Sequence, residues 1–292
     1  MITVNDFLKA QFGGKVYKIS LSGGMTCPNR DGKCGTKGCI FCSARGSGEF
    51  SADKSLSVTE QLKKAKEQVR KKYNGDKFIA YFGSFTNTYA DVLYLKEIFG
   101  QAINDPQVVA LSIATRPDCL GQDIISLINK LNKIKPVWVE LGLQTSKPET
   151  VEYIRRGYKN EVYVEAVNKL KMVGVHVITH IILGLPGETK EDMLSTVDFA
   201  VKSGTDGIKL QLLHVLQGTD LCDDFIAGKF KVLEREEYID LVISCLKIIP
   251  KDIVIHRLTG DGPKKILVAP KWSADKKLVL NKLNKAIKLA NL

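Results

Sequence analysis

The stretch Cys27-Pro-Asn-Arg-Asp-Gly-Lys-Cys34-Gly-Thr-Lys-Gly-Cys39-Ile-Phe-Cys42 packs four of the chain's seven cysteines into sixteen residues. It directly follows Lys15-Val-Tyr-Lys-Ile-Ser-Leu21, a run that alternates like a β-strand. The cysteines are odd in number and clustered, in a chain too long to need disulfide staples, so metal or redox thiols in a reducing compartment are expected. Two metals compete for them. A structural zinc site wants four thiolates, usually as two Cys-x-x-Cys knuckles, and only Cys39 and Cys42 form such a pair. An iron–sulfur cluster is also a thiolate binder. With three cysteines ligating, one iron keeps an open position for a cofactor, and Phe41, just before the last cysteine, suits an adenine neighbour. The residues alone favour the cluster and leave zinc open.

At 292 residues and 44% hydrophobic content the chain can bury a large core. No run approaches the roughly 18 to 20 apolar residues of a membrane helix. Met1-Ile-Thr-Val-Asn-Asp6 lacks the basic start and apolar centre of a signal peptide. A cytoplasmic protein without membrane contact is the expectation. The net charge of +11 favours an anionic partner such as nucleic acid. More than half of that excess lies in residues 251–292, where ten Lys and Arg face three Asp.

Beyond the cysteine loop, strands alternate with helices. A short amphipathic helix is expected at 3–11. Ser57 and Glu60 make a capping-box pattern ahead of a helix whose apolar face runs Val58, Leu62, Ala65, Val69, Tyr73. Then come strand Phe78 to Phe82, helix Val92 to Ile103, strand Val108 to Ala114, helix Ile124 to Leu131 and strand Val137 to Gly142. Helices near 148–154 and 161–172 precede strand Val175 to Leu183. A helix at 190–202, capped by Thr189 and Asp192, precedes Gly207 to Leu213, and a helix at 235–248 precedes Ile253 to Leu258. Near-continuous Val/Ile/Leu strands separated by helices indicate a parallel sheet covered by helices. The fold class is therefore α/β, one barrel-like domain over 1–260 that includes the cysteine loop 22–48. Residues 261–292 form a short basic C-terminal extension packed on it.

A parallel barrel carries its active site at the carboxyl ends of its strands. Polar, glycine-rich and ionisable residues gather there: Gly83-Ser84-Phe85-Thr86-Asn87-Thr88-Tyr89, Thr115-Arg116-Pro117-Asp118-Cys119, Gln144-Thr145, Gly184-Leu-Pro-Gly-Glu-Thr189, His214 and His256-Arg257.

On these residues the chain resembles a known family. Cys27-x11-Cys39-x2-Cys42 with Phe41 is similar to the radical S-adenosylmethionine (SAM) superfamily, in the subgroup with a long first spacing. Gly24-Met-Thr-Cys-Pro-Asn-Arg-Asp-Gly32, Thr86-Asn-Thr-Tyr-Ala90, Thr115-Arg-Pro-Asp-Cys-Leu120, Glu140-Leu-Gly-Leu-Gln-Thr145, Leu183-Gly-Leu-Pro-Gly-Glu-Thr189 and His256-Arg-Leu-Thr-Gly-Asp261 resemble the YhcC/YtqA family, itself similar to the radical-SAM half of the Elongator catalytic subunit. The resemblance spans roughly residues 5 to 275. It implies a partial parallel (β/α)6 barrel with a [4Fe-4S] cluster on Cys27, Cys39 and Cys42, whose unique iron chelates SAM. Cys34 departs from the pattern as a fourth thiol inside the spacer. Gly83 departs from it where glutamine is expected.

The resemblance further implies Gln144 at the SAM ribose and Arg156, with Arg155 as rival, at its carboxylate. His180 falls where some relatives carry an acidic ribose ligand. Phe41 and Ser84 complete the expected cofactor contacts. Arg116, Asp118, His214, His256 and Arg257 remain for the substrate side. Cys119, Cys222 and Cys245 read as packing cysteines. Trp272, and the lysines of a closing helix capped by Ser273 with Leu278, Leu280, Leu283 and Ile287 apolar, either contact RNA or close the core. The implied activity is reductive cleavage of SAM to a 5′-deoxyadenosyl radical. The implied substrate is the C5 side chain of wobble uridine in tRNA, on the carboxymethylaminomethyl to aminomethyl branch, with flavodoxin or ferredoxin as electron donor. Two rivals stand beside it: oxidative decarboxylation of a small molecule, as in the coproporphyrinogen dehydrogenases, and a zinc-bearing RNA-binding protein without catalysis.

Overall fold

A computed structural model describes residues 1–46, 48–71 and 74–292. Ser47 of the cysteine loop and Tyr73, expected on the second helix, lie outside the described residues. The Val/Ile/Leu-rich runs become β2 (Tyr17–Leu21), β3 (Phe78–Phe82), β4 (Val108–Thr115), β5 (Val137–Gln144), β6 (His176–Leu183), β7 (Gly207–Leu212) and β9 (Val254–Arg257). With the two-residue β1 (Ile2–Thr3) they form one eight-stranded sheet in the order β1-β9-β7-β6-β5-β4-β3-β2, every pair parallel. The connections are α2 (Val58–Arg70), α3 (Val92–Ile103), α4 (Gln122–Asn132), α5 (Pro148–Tyr153), α6 (Asn160–Met172), α7 (Lys190–Lys202) and α9 (Arg235–Ile248). Both expected capping boxes are present, Ser57 with Glu60 and Thr189 with Asp192. The helices bury Leu62, Phe99, Ile128, Val167, Val197 and Val242 in one cluster with the strands.

The sheet is strongly curled, and one carboxylate proves it. Glu140 on β5 receives Lys18 from β2 and Lys209 from β7. β2 and β7 are five strand spacings apart, roughly 24 Å in a flat sheet, too far for two lysines to share one carboxylate. The concave face is thus the lumen of an open barrel, the partial barrel expected from the sequence.

Period two along each strand stacks that lumen in layers. The lowest holds Ile79, Ala110, Trp138 and Ile178, closed from below by α1 (Val4–Phe12) through Phe7, which packs on Trp138 and His176. The next holds Lys18, Tyr81, Ser112, Glu140, His180 and Lys209. The uppermost holds Gly83, Ala114 and Gly142, small residues on the wall of a cavity at the carboxyl ends of the strands.

Three features depart from the sequence reading. A short antiparallel pair, β8 (Val215–Leu216) with β10 (Leu267–Ala269), and the helix α8 (Asp220–Ile226), capped by Thr219, were not expected. The closing helix α10 (Lys276–Leu289) is capped by Asp275, not Ser273, whose hydroxyl bonds the Pro270 carbonyl in a 3-10 turn. Its buried face is Val279, Leu283 and Ile287, while Leu278 is 41% exposed. Trp272 donates to the Leu233 carbonyl and packs on Tyr238, so its ring closes the core. Among the described residues no helix is long and apolar enough to cross a membrane.

Candidate active site

The cysteine loop leaves β2 and folds on itself. Arg30 and Cys34 donate back to the Cys27 and Pro28 carbonyls, and Cys42 to that of Cys39. The Arg30 guanidinium donates to the carbonyls of Cys42 and Ser43 at 2.9 and 2.6 Å, tying the start of the loop to its end. Asn29 anchors it to the barrel through the Arg155 carbonyl at 2.7 Å, and its amide lies 3.5 Å from Cys39 Sγ. As a result Cys27, Cys39 and Cys42 open onto one cavity of about 540 Å³ at the carboxyl ends of the strands. Cys34 is exposed and faces a separate depression.

Burial pushes the Cys39 thiol up to about 12, with Cys42 adding to it, and raises Cys42 as well. Thiolates there need a positive counter-charge, which a thiophilic metal supplies. The three thiols lie close enough to feel one another's charge, Cys39 that of Cys42 and Cys27, and Cys42 that of Cys27. An all-thiolate set of three suits an iron–sulfur cluster, whereas a closed zinc site wants a fourth ligand.

Around the cavity stand the strand-end residues. Phe41, Gln144 and His180 line it, as do Arg116, His214 and Arg257. Gln144 closes β5 at φ +60°, just past a bulge at Gly142, where an added Cβ would lie 2.3 Å from the Gln144 amide nitrogen. At Gly83 a Cβ would meet the Tyr81 ring at 2.3 Å, so the glutamine expected there is replaced by tyrosine bulk from the layer below.

Several expected site residues either turn from the cavity or have their polar groups engaged within the protein. Ser84 turns from the cavity to the Ser51 hydroxyl, 2.5 Å away. Arg156 lines the same cavity as the three thiols, with its donors already engaged. All five of its N–H groups have acceptors, the carbonyls of Leu143, Thr145 and Tyr158 and the Asn160 side chain, the Tyr158 carbonyl taking two. Its guanidinium ties the end of β5 to the start of α6. Its rival Arg155 pairs with Asp220. Arg116 spends Nε and Nη2 on Asp118 and Nη1 on the Arg156 carbonyl. His256 lies below the cavity against Trp138 and His176, with neither ring nitrogen bonded among the described residues. Cys119 is partly buried beside Asp118, and burial pushes its thiol up to about 12.

The floor of the cavity is the layer built on Glu140. Its Oε1 accepts from Lys18 at 3.0 Å and Ser112 at 2.7 Å, and its Oε2 from His180 at 2.7 Å and Lys209. Against the opposing effect of complete burial, Lys18, Lys209 and His180 hold its carboxyl well below the usual range. Burial and Lys209 push His180 down to about 4, and burial lowers His214 to about 4 as well. Both rings are neutral near pH 7. Lys18, Lys209 and Tyr81 were not singled out from the sequence, and Glu140 only as part of a motif. Lys209 and Gln211 alternate within Gly207-Ile-Lys-Leu-Gln-Leu212, two polar residues on the inward rhythm of an apolar strand, and that was the signal available.

Radical SAM superfamily sequences match residues 27–200, and the Radical_SAM C-terminal domain matches residues 205–288. The chain belongs to the radical SAM superfamily, which implies SAM and a [4Fe-4S] cluster. Within it, the chain is 42% identical to the uncharacterized protein YtqA of Bacillus subtilis over 285 residues, covering 98% of this chain and 88% of that protein. A tRNA uridine(34) acetyltransferase of Methanocaldococcus jannaschii is 32% identical over 178 residues, 58% of this chain and 32% of its own length. In structure, Elp3 of Methanocaldococcus infernus superposes with a TM-score of 0.69 at 22% identity, over 92% of this chain and 63% of its own. That likeness establishes the fold.

Proposed function

We propose that Cys27, Cys39 and Cys42 hold a [4Fe-4S] cluster with SAM on its open iron, and that this radical SAM enzyme modifies the C5 side chain of wobble uridine in tRNA, taking carboxymethylaminomethyl toward aminomethyl. The observation carrying the reading is that these three thiols, and not Cys34, open onto the cavity shared by Gln144, His180 and Arg257. When bound, the group supplies one-electron cleavage of SAM to methionine and a 5′-deoxyadenosyl radical able to take a hydrogen atom from carbon.

The chain's own residues position and enclose. Phe41 offers a ring for an adenine beside the thiols, and the Gln144 amide, turned inward by its left-handed backbone, offers donors and an acceptor for ribose hydroxyls. Ile182, Leu212 and Leu213 give the wall an apolar side that excludes water. Arg156 ties the end of β5 to the start of α6 and hence fixes Gln144 there. For the substrate, support comes from the relative whose name specifies uridine 34 of tRNA and from the excess of +11 charges, which suits a polyanion. A small acidic flavodoxin or ferredoxin in the same cytoplasm would deliver the electron to the exposed side of the cysteine loop.

The test is a comparison of modified nucleosides in tRNA from cells with and without the gene. Loss of an aminomethyl-type uridine and accumulation of its carboxymethylaminomethyl precursor is expected. An unchanged uridine profile removes tRNA from the reading.

A further inference from the structure

The cavity floor holds three cations, Lys18, Lys209 and Arg257, around one carboxylate. Glu140 cannot serve all three. Lys18, Ser112, His180 and Lys209 already occupy both of its oxygens. Lys209 is buried in contact with it, and Lys18 shares it while keeping 31% of its side chain open. Arg257 is left over. Its one bond from the guanidinium is Nη1 to Gln211 Oε1 at 3.3 Å, and among the described residues it forms no ion pair with Asp or Glu. It lines the cavity nonetheless.

Its orientation is set by a chain of hydrogen bonds with a single consistent direction. Because Gln211 Oε1 accepts from Arg257, its Nε2 is the donor, 3.4 Å from His180 Nδ1. His180 Nδ1 therefore accepts, and its Nε2–H donates to Glu140. The neutral tautomer so defined links Arg257 rigidly to the Glu140 layer. A half-buried guanidinium without a counter-ion, held by a relay of neutral groups, has free N–H groups in the fork geometry that matches a planar carboxylate.

We propose that Arg257, with Lys18 on the same floor, is a subsite for a carboxylate group of the substrate, and that Gln211, His180 and Glu140 are positioning residues that hold its fork toward the cavity. A monoanion matches the single unpaired guanidinium; a phosphate dianion would bring an uncompensated charge into a partly desolvated site. The inference rests on the reading of this cavity as the reaction chamber and narrows its substrates to those carrying a carboxylate near the reacting carbon.

The test uses the reconstituted, iron-loaded protein with SAM bound, titrated with carbon-13 acetate, acetamide and inorganic phosphate and read by line broadening. Acetate should bind at least tenfold more tightly than either of the others. Arg257→Gln should lose at least tenfold in acetate affinity, and Arg257→Lys, which keeps the charge, should retain part of it. Gln211→Glu, nearly isosteric but supplying Arg257 with an internal counter-ion, should abolish acetate binding while iron content and melting temperature hold; a merely structural role for Gln211 would not act through charge. Lys282→Gln, on the outer face of α10 and paired with Glu236, should change nothing. Equal binding of acetate and acetamide, tighter binding of phosphate, or loss of acetate binding in Lys282→Gln would overturn the subsite. So would displacement of acetate by SAM, which would assign Arg257 to the cofactor's own carboxylate. Iron content and 5′-deoxyadenosine release report on the radical SAM reading separately, so a protein that cleaves SAM but ignores acetate sinks the subsite alone.

Discussion

The two ends of the barrel lumen are built from the same strands, two residues apart, and they behave as opposites. Below, Ile79, Ala110, Trp138 and Ile178 pack under Phe7 into an apolar plug. Above, Lys18, Glu140, His180 and Lys209 form a charged layer under a chamber whose wall includes Gly83, Ala114 and Gly142. Every side chain of the plug can be exchanged for another hydrophobe of similar volume at small cost. The charged layer cannot be altered one residue at a time, because each member satisfies a buried partner. The parallel sheet therefore divides its work by depth: replaceable apolar packing fills the amino end, and an interdependent charged layer that positions groups in the chamber fills the carboxyl end.

Breaking the charged layer should have the largest effect. Glu140→Gln strands the buried Lys209 without its carboxylate and should cost about 3–5 kcal/mol, whereas Glu140→Leu combined with Lys209→Met should recover most of that stability without recovering activity. Chemical denaturation midpoints decide it. A double variant no more stable than Glu140→Gln would mean that the ion pair is not what organises the layer.

A pH effect of intermediate size follows from the neutral histidines. His180 and His214 are held at about 4, below the ordinary 6.5, so between these values the folded protein binds fewer protons than the unfolded chain. Their contribution is complete above pH 6.5 and is lost as the pH falls toward 4, at most about 3 kcal/mol per histidine. Glu188, raised by burial to about 7, acts in the opposite sense over much of that range. The readout is therefore the difference between the native protein and His214→Asn, whose stability should fall less steeply on acidification. Parallel curves would remove His214 from the buried neutral set. The smallest effect belongs to the plug. Ile79→Val should cost about 0.5–1.5 kcal/mol and leave iron content and SAM cleavage unaltered, and a loss of turnover there would erase the division by depth.

The sequence disclosed the carboxyl end unevenly. The cysteine loop was legible because spacing is itself the signal, and the strand and helix alternation placed β3, α3 and α7 at their observed bounds. Lys209 escaped notice because β7 reads as an apolar strand unless its inward positions are separated from its outward ones. Arg156 shows the converse: an arginine's number says nothing of how many carbonyls surround it, and only the fold shows two of its five donors on Leu143 and Thr145 at the end of β5 and three on Tyr158 and Asn160 ahead of α6. Trp272 and the closing helix could have faced RNA or core on periodicity alone, and the Leu233 carbonyl and Tyr238 ring give Trp272 to the core.

Three particular thiols on the cavity wall, Cys27, Cys39 and Cys42, are what should let this chain cleave SAM. Anaerobic reconstitution with iron and sulfide, followed by dithionite and SAM, tests it on the native protein, Cys34→Ser and Cys39→Ser. The native protein should be brown, bleach on reduction and release 5′-deoxyadenosine, with Cys34→Ser unchanged and Cys39→Ser devoid of both iron and product. A colourless protein retaining one zinc, or a Cys34→Ser variant that loses its iron while Cys39→Ser keeps it, would contradict it.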